Sequence, residues 1–253
     1  TDYDLIIRNG SVVDGTGADP CTADVAVKDG VIAAVGPNLE GSAAREIDAS
    51  GKLVTPGFID VHTHYDAQLT WDSDATPSPA LGVTTVVVGN CGFGIAPAPP
   101  AHRDAILANL AEVEGMSLES LKAGTDTSYE TFAEYMDLLK RKGVYPNVAV
   151  LASHTVFRTA VMGDAGSTRA ATPDELAQML DLFRDAMDAG AVGLGVASCL
   201  LNAGVSVSIV ARKETSDAIS HLGISRSGIF GDAVHPPHDF LAADSLGCLT
   251  ISD

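Results

Sequence analysis

The chain has 253 residues, 46% of them hydrophobic, and a formal charge of −18 at pH 7. This length supports a substantial core in one large domain or two small ones, and acidity of this size opposes nucleic-acid or anionic-membrane partners. No apolar run reaches the roughly 18 residues of a membrane helix and Thr1-Asp2-Tyr3-Asp4 has no signal-peptide character, so a soluble, cytoplasmic protein is expected.

The first fifty residues predict short strands broken by glycine turns. Leu5–Arg8 is followed by Asn9-Gly10, Ala23–Lys28 by Asp29-Gly30, and Val31–Val35 completes a small β unit. Asn-Gly and Asp-Gly between apolar runs are hairpin signals, because both central positions of a type I′ turn need positive φ. After Pro56-Gly57 the pattern changes to compact β-branched runs, Phe58–Val61 and Thr84–Val88, of the kind found in parallel strands buried on both faces. Thr127-Ser128-Tyr129-Glu130 predicts a capping box opening a helix to about Lys142. Thr172-Pro173-Asp174-Glu175 predicts another, with Leu176, Met179, Leu180, Phe183 and Met187 on one stripe and Gly190 ending it. Strands at Val148–Leu151 and Ala191–Leu194 continue the alternation. The fold class expected is α/β: a β-sandwich portion over residues 1–55, then a (β/α) barrel portion over 56–195. About 140 residues separate Pro56 from Gly195 where a full eightfold barrel takes about 250, so the barrel is expected to be incomplete.

The chemistry concentrates in Phe58-Ile59-Asp60-Val61-His62-Thr63-His64. Alternate residues of a strand face one side, so His62 and His64 can present two imidazoles to one metal at the strand's end. The neighbouring strand Val83–Val88 ends in Gly89-Asn90-Cys91-Gly92-Phe93-Gly94, which places a thiol among glycines that permit close backbone approach. Cys21, Cys91, Cys199 and Cys248 lie far apart with no CxxC pair, so disulfides are not expected and a thiol is free for metal work. Two imidazoles and a thiolate suit zinc, which polarises a carbonyl and activates water, and hydrolysis of a linear amide is its natural use.

Thr55-Pro56-Gly57-Phe58-Ile59-Asp60-Val61-His62-Thr63-His64-Tyr65-Asp66, Gly82-Val83-Thr84-Thr85-Val86-Val87-Val88-Gly89-Asn90-Cys91-Gly92-Phe93 and Glu114-Gly115-Met116, in that order, resemble the D-aminoacylase (N-acyl-D-amino-acid deacylase) branch of the amidohydrolase superfamily. The resemblance implies a small β-sandwich built around a (β/α)₈ barrel, zinc at the barrel mouth, and a small-molecule N-acyl-D-amino acid as substrate. It maps the cysteine that replaces a bridging carboxylated lysine onto Cys91, and the HxH pair onto His62 and His64. The two further histidines and the late catalytic aspartate of that branch have no counterpart that can be placed in this sequence, so the catalytic residues stay unassigned and little activity is expected of the chain by itself. His154, after the Val148–Leu151 strand, matches a family histidine and is expected to support its loop or to touch substrate or metal. His102 is expected on the surface at a helix start.

The resemblance extends from about residue 3 to Gly195. Gly190–Ala197 and Gly204–Arg212 resemble instead the opening of ketopantoate reductase, an NADP-binding Rossmann family in which an arginine in the place of Arg212 meets the 2′-phosphate. Asp188 stands where the first fingerprint glycine belongs, and an amphipathic helix precedes it where a strand is needed. Residues 196–253 are therefore expected to be a foreign, partial Rossmann-like tail joined at Gly190–Gly195, with an NADP-binding reductase fragment as the alternative function. His221, His235 and His238 are expected to face solvent and to take no part in metal binding.

Overall fold

A computed structural model describes residues 1–192 and, as backbone alone, four short strands in the remainder. The chain divides into two units, Thr1–Phe58 and Ile59–Asp253.

The first unit contains one five-stranded sheet. Its strands are β1 (Tyr3–Val12), β2 (Cys21–Lys28), β3 (Val31–Gly36), β4 (Ala43–Asp48) and β5 (Leu53–Val54), in the order β3-β2-β1-β4, with β5 also beside β1. β1 runs antiparallel to β2 and parallel to β4 and β5. Asp29 and Gly30 take φ of 50° and 76° and form the expected hairpin turn. Asn9-Gly10 does not turn the chain. It lies inside the ten-residue β1, where Asn9 at φ 61° makes a bulge and the register to β2 shifts between Ile7 and Gly10. A bulge satisfies the same preference for positive φ as a hairpin, which is why the dipeptide alone does not distinguish them. A single sheet, with Val12, Ala23 and Val25 buried together on it, is what the described residues show in place of a complete sandwich.

The second unit begins with the three-stranded sheet β6-β7-β8, formed by β6 (Phe58–Asp60), β7 (Val83–Val88) and β8 (Asn147–Val150). β7 and β8 are parallel, and an isolated parallel bridge joins Leu151, just after β8, to Val192. Among the described residues, α1 (Arg103–Glu114), α2 (Leu118–Gly124) and α3 (Phe132–Lys142) connect β7 to β8, and α4 (His154–Met162) and α5 (Pro173–Asp188) follow β8. The α/β alternation is therefore present; among the described residues the sheet is open. Val86 and Val88 of β7 are fully buried against Leu110 of α1, Leu121 of α2 and Tyr135 of α3 in one apolar core.

α5 starts as expected, with reciprocal hydrogen bonds between Thr172 and Glu175 and Pro173 in its first turn. Its buried stripe keeps Met179, Phe183 and Met187 of the expected set and adds Leu182 and Ala186, while Leu176 is exposed. α3 starts four residues later than expected. Its capping box is Thr131 with Glu134, because the sequence carries the Thr-x-x-Glu spacing twice and only the second is followed by a helical stripe, Phe132, Tyr135, Leu138 and Leu139. Tyr129, which the earlier start would have put on that helix, is buried with its hydroxyl donating to the Ile95 carbonyl at 2.9 Å.

The remaining strands are β9 (Val207–Val210), β10 (Ile224–Arg226), β11 (Ala233–His235) and β12 (Phe240–Ala243). β9 pairs in parallel with β12, and β10 pairs with β11 in antiparallel fashion. The side chains that the NADP reading invokes, Arg212 above all, and those of His221, His235 and His238 lie outside the described residues. No helix among the described residues is long and apolar enough to cross a membrane.

Candidate metal centre

The tips of β6 and β7 bring His62, His64 and Cys91 together. Each offers one ligand atom, and the three atoms all lie within 4.8 Å of one another. His62 Nε2 is 3.2 Å from Cys91 Sγ, and the two imidazole centroids are 5.5 Å apart with rings inclined at 66°. His62 and Cys91 are exposed and His64 is half-buried, so the cluster opens to solvent.

The HxH pair lies just beyond the end of β6, which stops at Asp60. The strand-like alternation survives because the intervening Thr63 is fixed to β7. Its amide and its hydroxyl both donate to the Val87 carbonyl, at 3.1 Å and 2.7 Å. The Asn90 side-chain amide then donates to the Thr63 carbonyl at 3.1 Å and to Val87 at 2.8 Å. With Thr63 and Asn90 buried beneath them, the two histidines project to the same side as the cysteine.

Cys91 sits in a single 3₁₀ turn, Asn90–Gly92, between Gly89 at φ 82° and Gly92 at φ 81°. Cys91 itself holds φ 57°, a left-handed conformation that costs an L-residue about 1–2 kcal/mol. Gly89 is required where it stands: a Cβ would come within 2.7 Å of Ser153 Oγ and 2.9 Å of the Leu151 carbonyl oxygen.

Burial, and secondarily the neighbouring His62, hold the His64 imidazole below its ordinary pKa, which favours the neutral, metal-ligating form. His64 Nδ1 is buried and has no hydrogen-bond partner among the described residues. A buried ring nitrogen without a partner is costly, and a cation is one partner that removes the cost. The donor set, two nitrogens and one sulfur on an open face, fits zinc.

Two buried residues that the sequence reading left without a role complete the setting. Asp66, two residues after His64, is 2% exposed and accepts from the Gly89 amide at 3.0 Å. Burial pushes its carboxyl up to about 7 against the lowering pull of that amide. Ser153 donates to the Gly89 carbonyl at 2.7 Å. Asp66 had a signal, an acidic residue two positions after an HxH pair. Ser153 had none, because a serine before a helix reads as an ordinary cap.

His154 is the first residue of α4 and makes no part of the three-donor cluster. Burial and then Arg158 lower its pKa. His102 does precede α1, but it is half-buried against Gly163, where an added Cβ would lie 2.7 Å from its ring. Glu114 closes α1 before the left-handed Gly115, and its Oε1 is buried with no partner among the described residues. A separate groove of about 420 Å³ among α3, α4 and α5, lined by Pro97, Phe132, Ala160, Leu182 and Asp185, includes none of the three donors.

Residues 45–221 match the amidohydrolase family. The match continues past Gly195, where the sequence reading ended the resemblance. A D-aminoacylase of Alcaligenes xylosoxydans xylosoxydans is 39% identical over 192 residues, 76% of this chain and 37% of that protein. An N-acyl-D-glutamate deacylase of the same organism is 33% identical over 258 residues, 98% of this chain and 49% of that protein, so this alignment too runs through the segment read as foreign. Among solved structures, a D-aminoacylase described by its binuclear metal centre superposes with a TM-score of 0.64 at 34% identity, covering 86% of this chain and 48% of that one. An N-acyl-D-glutamate deacylase from Bordetella bronchiseptica, complexed with zinc and a phosphonate mimic of the tetrahedral intermediate, gives 0.65 at 33% identity, covering 82% of this chain and 45% of that one. The chain thus spans roughly a third to a half of the relatives it matches.

Proposed function

The chain belongs to the amidohydrolase family, and on that footing we propose that it presents His62, His64 and Cys91 to a zinc ion for hydrolysis of the amide bond of N-acyl-D-amino acids. The observation that carries the reading is the convergence of two imidazoles and one thiol within 4.8 Å at the tips of neighbouring strands. The relatives that act on N-acyl-D-amino acids, and the zinc in one of their structures, support the same choice of substrate and metal.

A bound zinc supplies Lewis acidity toward the amide carbonyl and a water made nucleophilic near neutral pH. The chain's own residues do the holding and orienting. His62 and His64 contribute imidazole nitrogens, and Cys91 contributes a thiolate whose turn is set by the left-handed backbone at Gly89 and Gly92. Thr63 and Asn90 lock the two strand tips to each other, so the three donors keep their separation without the metal. The exposed His62 and Cys91 leave the open side of the cluster to substrate.

Because little turnover is expected of the chain by itself, the test is equilibrium binding by the zinc-loaded protein of N-acetyl-D-glutamate, N-acetyl-D-aspartate and an apolar N-acetyl-D-amino acid beside their L enantiomers. The reading expects D-selective, zinc-dependent binding that Cys91→Ala weakens by at least about 10-fold. Binding indifferent to Cys91→Ala, or no zinc-dependent selectivity for the D series, would overturn it.

A further inference from the structure

Ser153 stands at the N-cap of α4, where a serine oxygen ordinarily accepts from an amide of the first helical turn and stabilises the helix by about 1 kcal/mol. It makes no such bond. The hydroxyl is turned to the Gly89 carbonyl at 2.7 Å, with the Phe93 and Leu151 carbonyl oxygens at 3.3 Å, and the residue is 2% exposed. From the opposite side the Gly89 amide donates to Asp66 Oδ2 at 3.0 Å. Asp66 follows β6, Ser153 follows β8, and Gly89 directly follows β7, the strand between them. The central strand tip is thus gripped by both neighbours through the two polar groups of one residue, two positions before Cys91.

The grip answers a need on the page. A non-glycine residue at φ 57° persists only where its surroundings over-determine it, and Cys91 is followed by a glycine that is itself left-handed. Asp66 and Ser153 fix the peptide units on either side of Gly89, so the turn starts in one orientation. Mutation of residues that orient a metal ligand from behind typically costs about 10- to 100-fold in metal affinity.

We propose that Ser153 is a positioning residue for Cys91: by holding the Gly89 carbonyl it fixes the turn that carries the thiol to 3.2 Å from the His62 imidazole. This rests on the reading of Cys91 as a metal ligand and adds to it a residue outside the donor set.

The test uses the full chain and Co²⁺ as the probe, following the near-ultraviolet thiolate-to-cobalt absorption and the binding isotherm. Wild type is expected to show the band and Cys91→Ala to lack it. Ser153→Ala is expected to bind Co²⁺ about 10- to 100-fold more weakly, with a diminished band. Thr172→Ala, which removes a true helix cap on α5, serves as the control for general loss of stability and is expected to match wild type. Should Ser153→Ala fail to melt cooperatively, Ser153→Gly removes the hydroxyl without leaving a methyl in the buried site and is read in the same way. Wild-type affinity and band in the Ser153 variant would overturn the positioning role while leaving Cys91 a ligand, and so would an equal weakening in Thr172→Ala. Absence of the band from wild type would remove Cys91 as a ligand and the present proposal with it.

Discussion

Two aspartates, one in each unit, are buried to nearly the same degree and are treated very differently by the fold. Asp24 of β2 is 4% exposed, and its carboxylate accepts from the Asn9 amide at 2.8 Å, the Leu39 amide at 3.0 Å and Arg8 Nη1 at 3.0 Å. The Asn9 amide first, and Arg8 and Leu39 after it, hold this carboxyl below its usual range. Asp66 is 2% exposed, and among the described residues its carboxylate accepts from the Gly89 amide alone, with no lysine or arginine paired to it. A carboxylate with a full set of donors is a structural knot; one left short of partners beside three convergent metal-type donors marks where the fold carries a local cost. Both aspartates serve left-handed backbone: Asp24 holds the bulge at Asn9, and Asp66 holds the residue that leads into the Cys91 turn.

The contrast can be broken at its stronger end first. Asp24→Asn replaces one acceptor oxygen with a donor facing the Leu39 amide and Arg8, and should lower stability in chemical denaturation by about 3 kcal/mol. A loss within experimental error would show that the three donors find water equally well. The sign of the pH effect follows from the lowered pKa. The stability Asp24 contributes is complete above its unfolded-state pKa of about 4 and is lost as pH falls through the depressed folded value, so wild type should lose stability in acid and Asp24→Asn should flatten that slope. Tyr135→Phe comes next. It deletes the buried hydroxyl that donates to the Asp66 backbone carbonyl at 2.8 Å, and should cost about 1–2 kcal/mol in thermal melting. The smallest effect is expected from Asp66→Asn in the metal-free protein, below about 1 kcal/mol, because an amide oxygen still accepts from Gly89. A loss as large as that of Asp24→Asn would reveal partners for Asp66 that the hydrogen-bond geometry does not include.

The parts of the fold legible in the sequence are those where one local preference decides the outcome. Asp29-Gly30 turned the chain and Thr172-Pro173-Asp174-Glu175 opened α5, because the other contacts of those residues, the Asp29 amide to Asp4 and Arg169 to Glu175, are compatible with the turn and the helix start. Asn9-Gly10 and Thr127–Glu130 carried the same signals and gave different structures, since a buried carboxylate captured the Asn9 amide and the core captured Tyr129. In the candidate centre, His62, His64 and Cys91 were visible as residue types at strand ends, but their meeting depends on β6 and β7 being neighbours. The supports were less visible still. Thr63, Asn90 and Ser153 act through backbone carbonyls of other strands, and a contact of that kind, such as Ser153 to Gly89 across 64 positions, leaves no periodicity to read.

The account stands most directly on whether one cation touches both kinds of donor. X-ray absorption at the zinc edge of the loaded protein should show one sulfur at about 2.3 Å beside nitrogens at about 2.0–2.1 Å, with the sulfur lost in Cys91→Ala. A first shell of nitrogen and oxygen alone in the wild-type protein would contradict it.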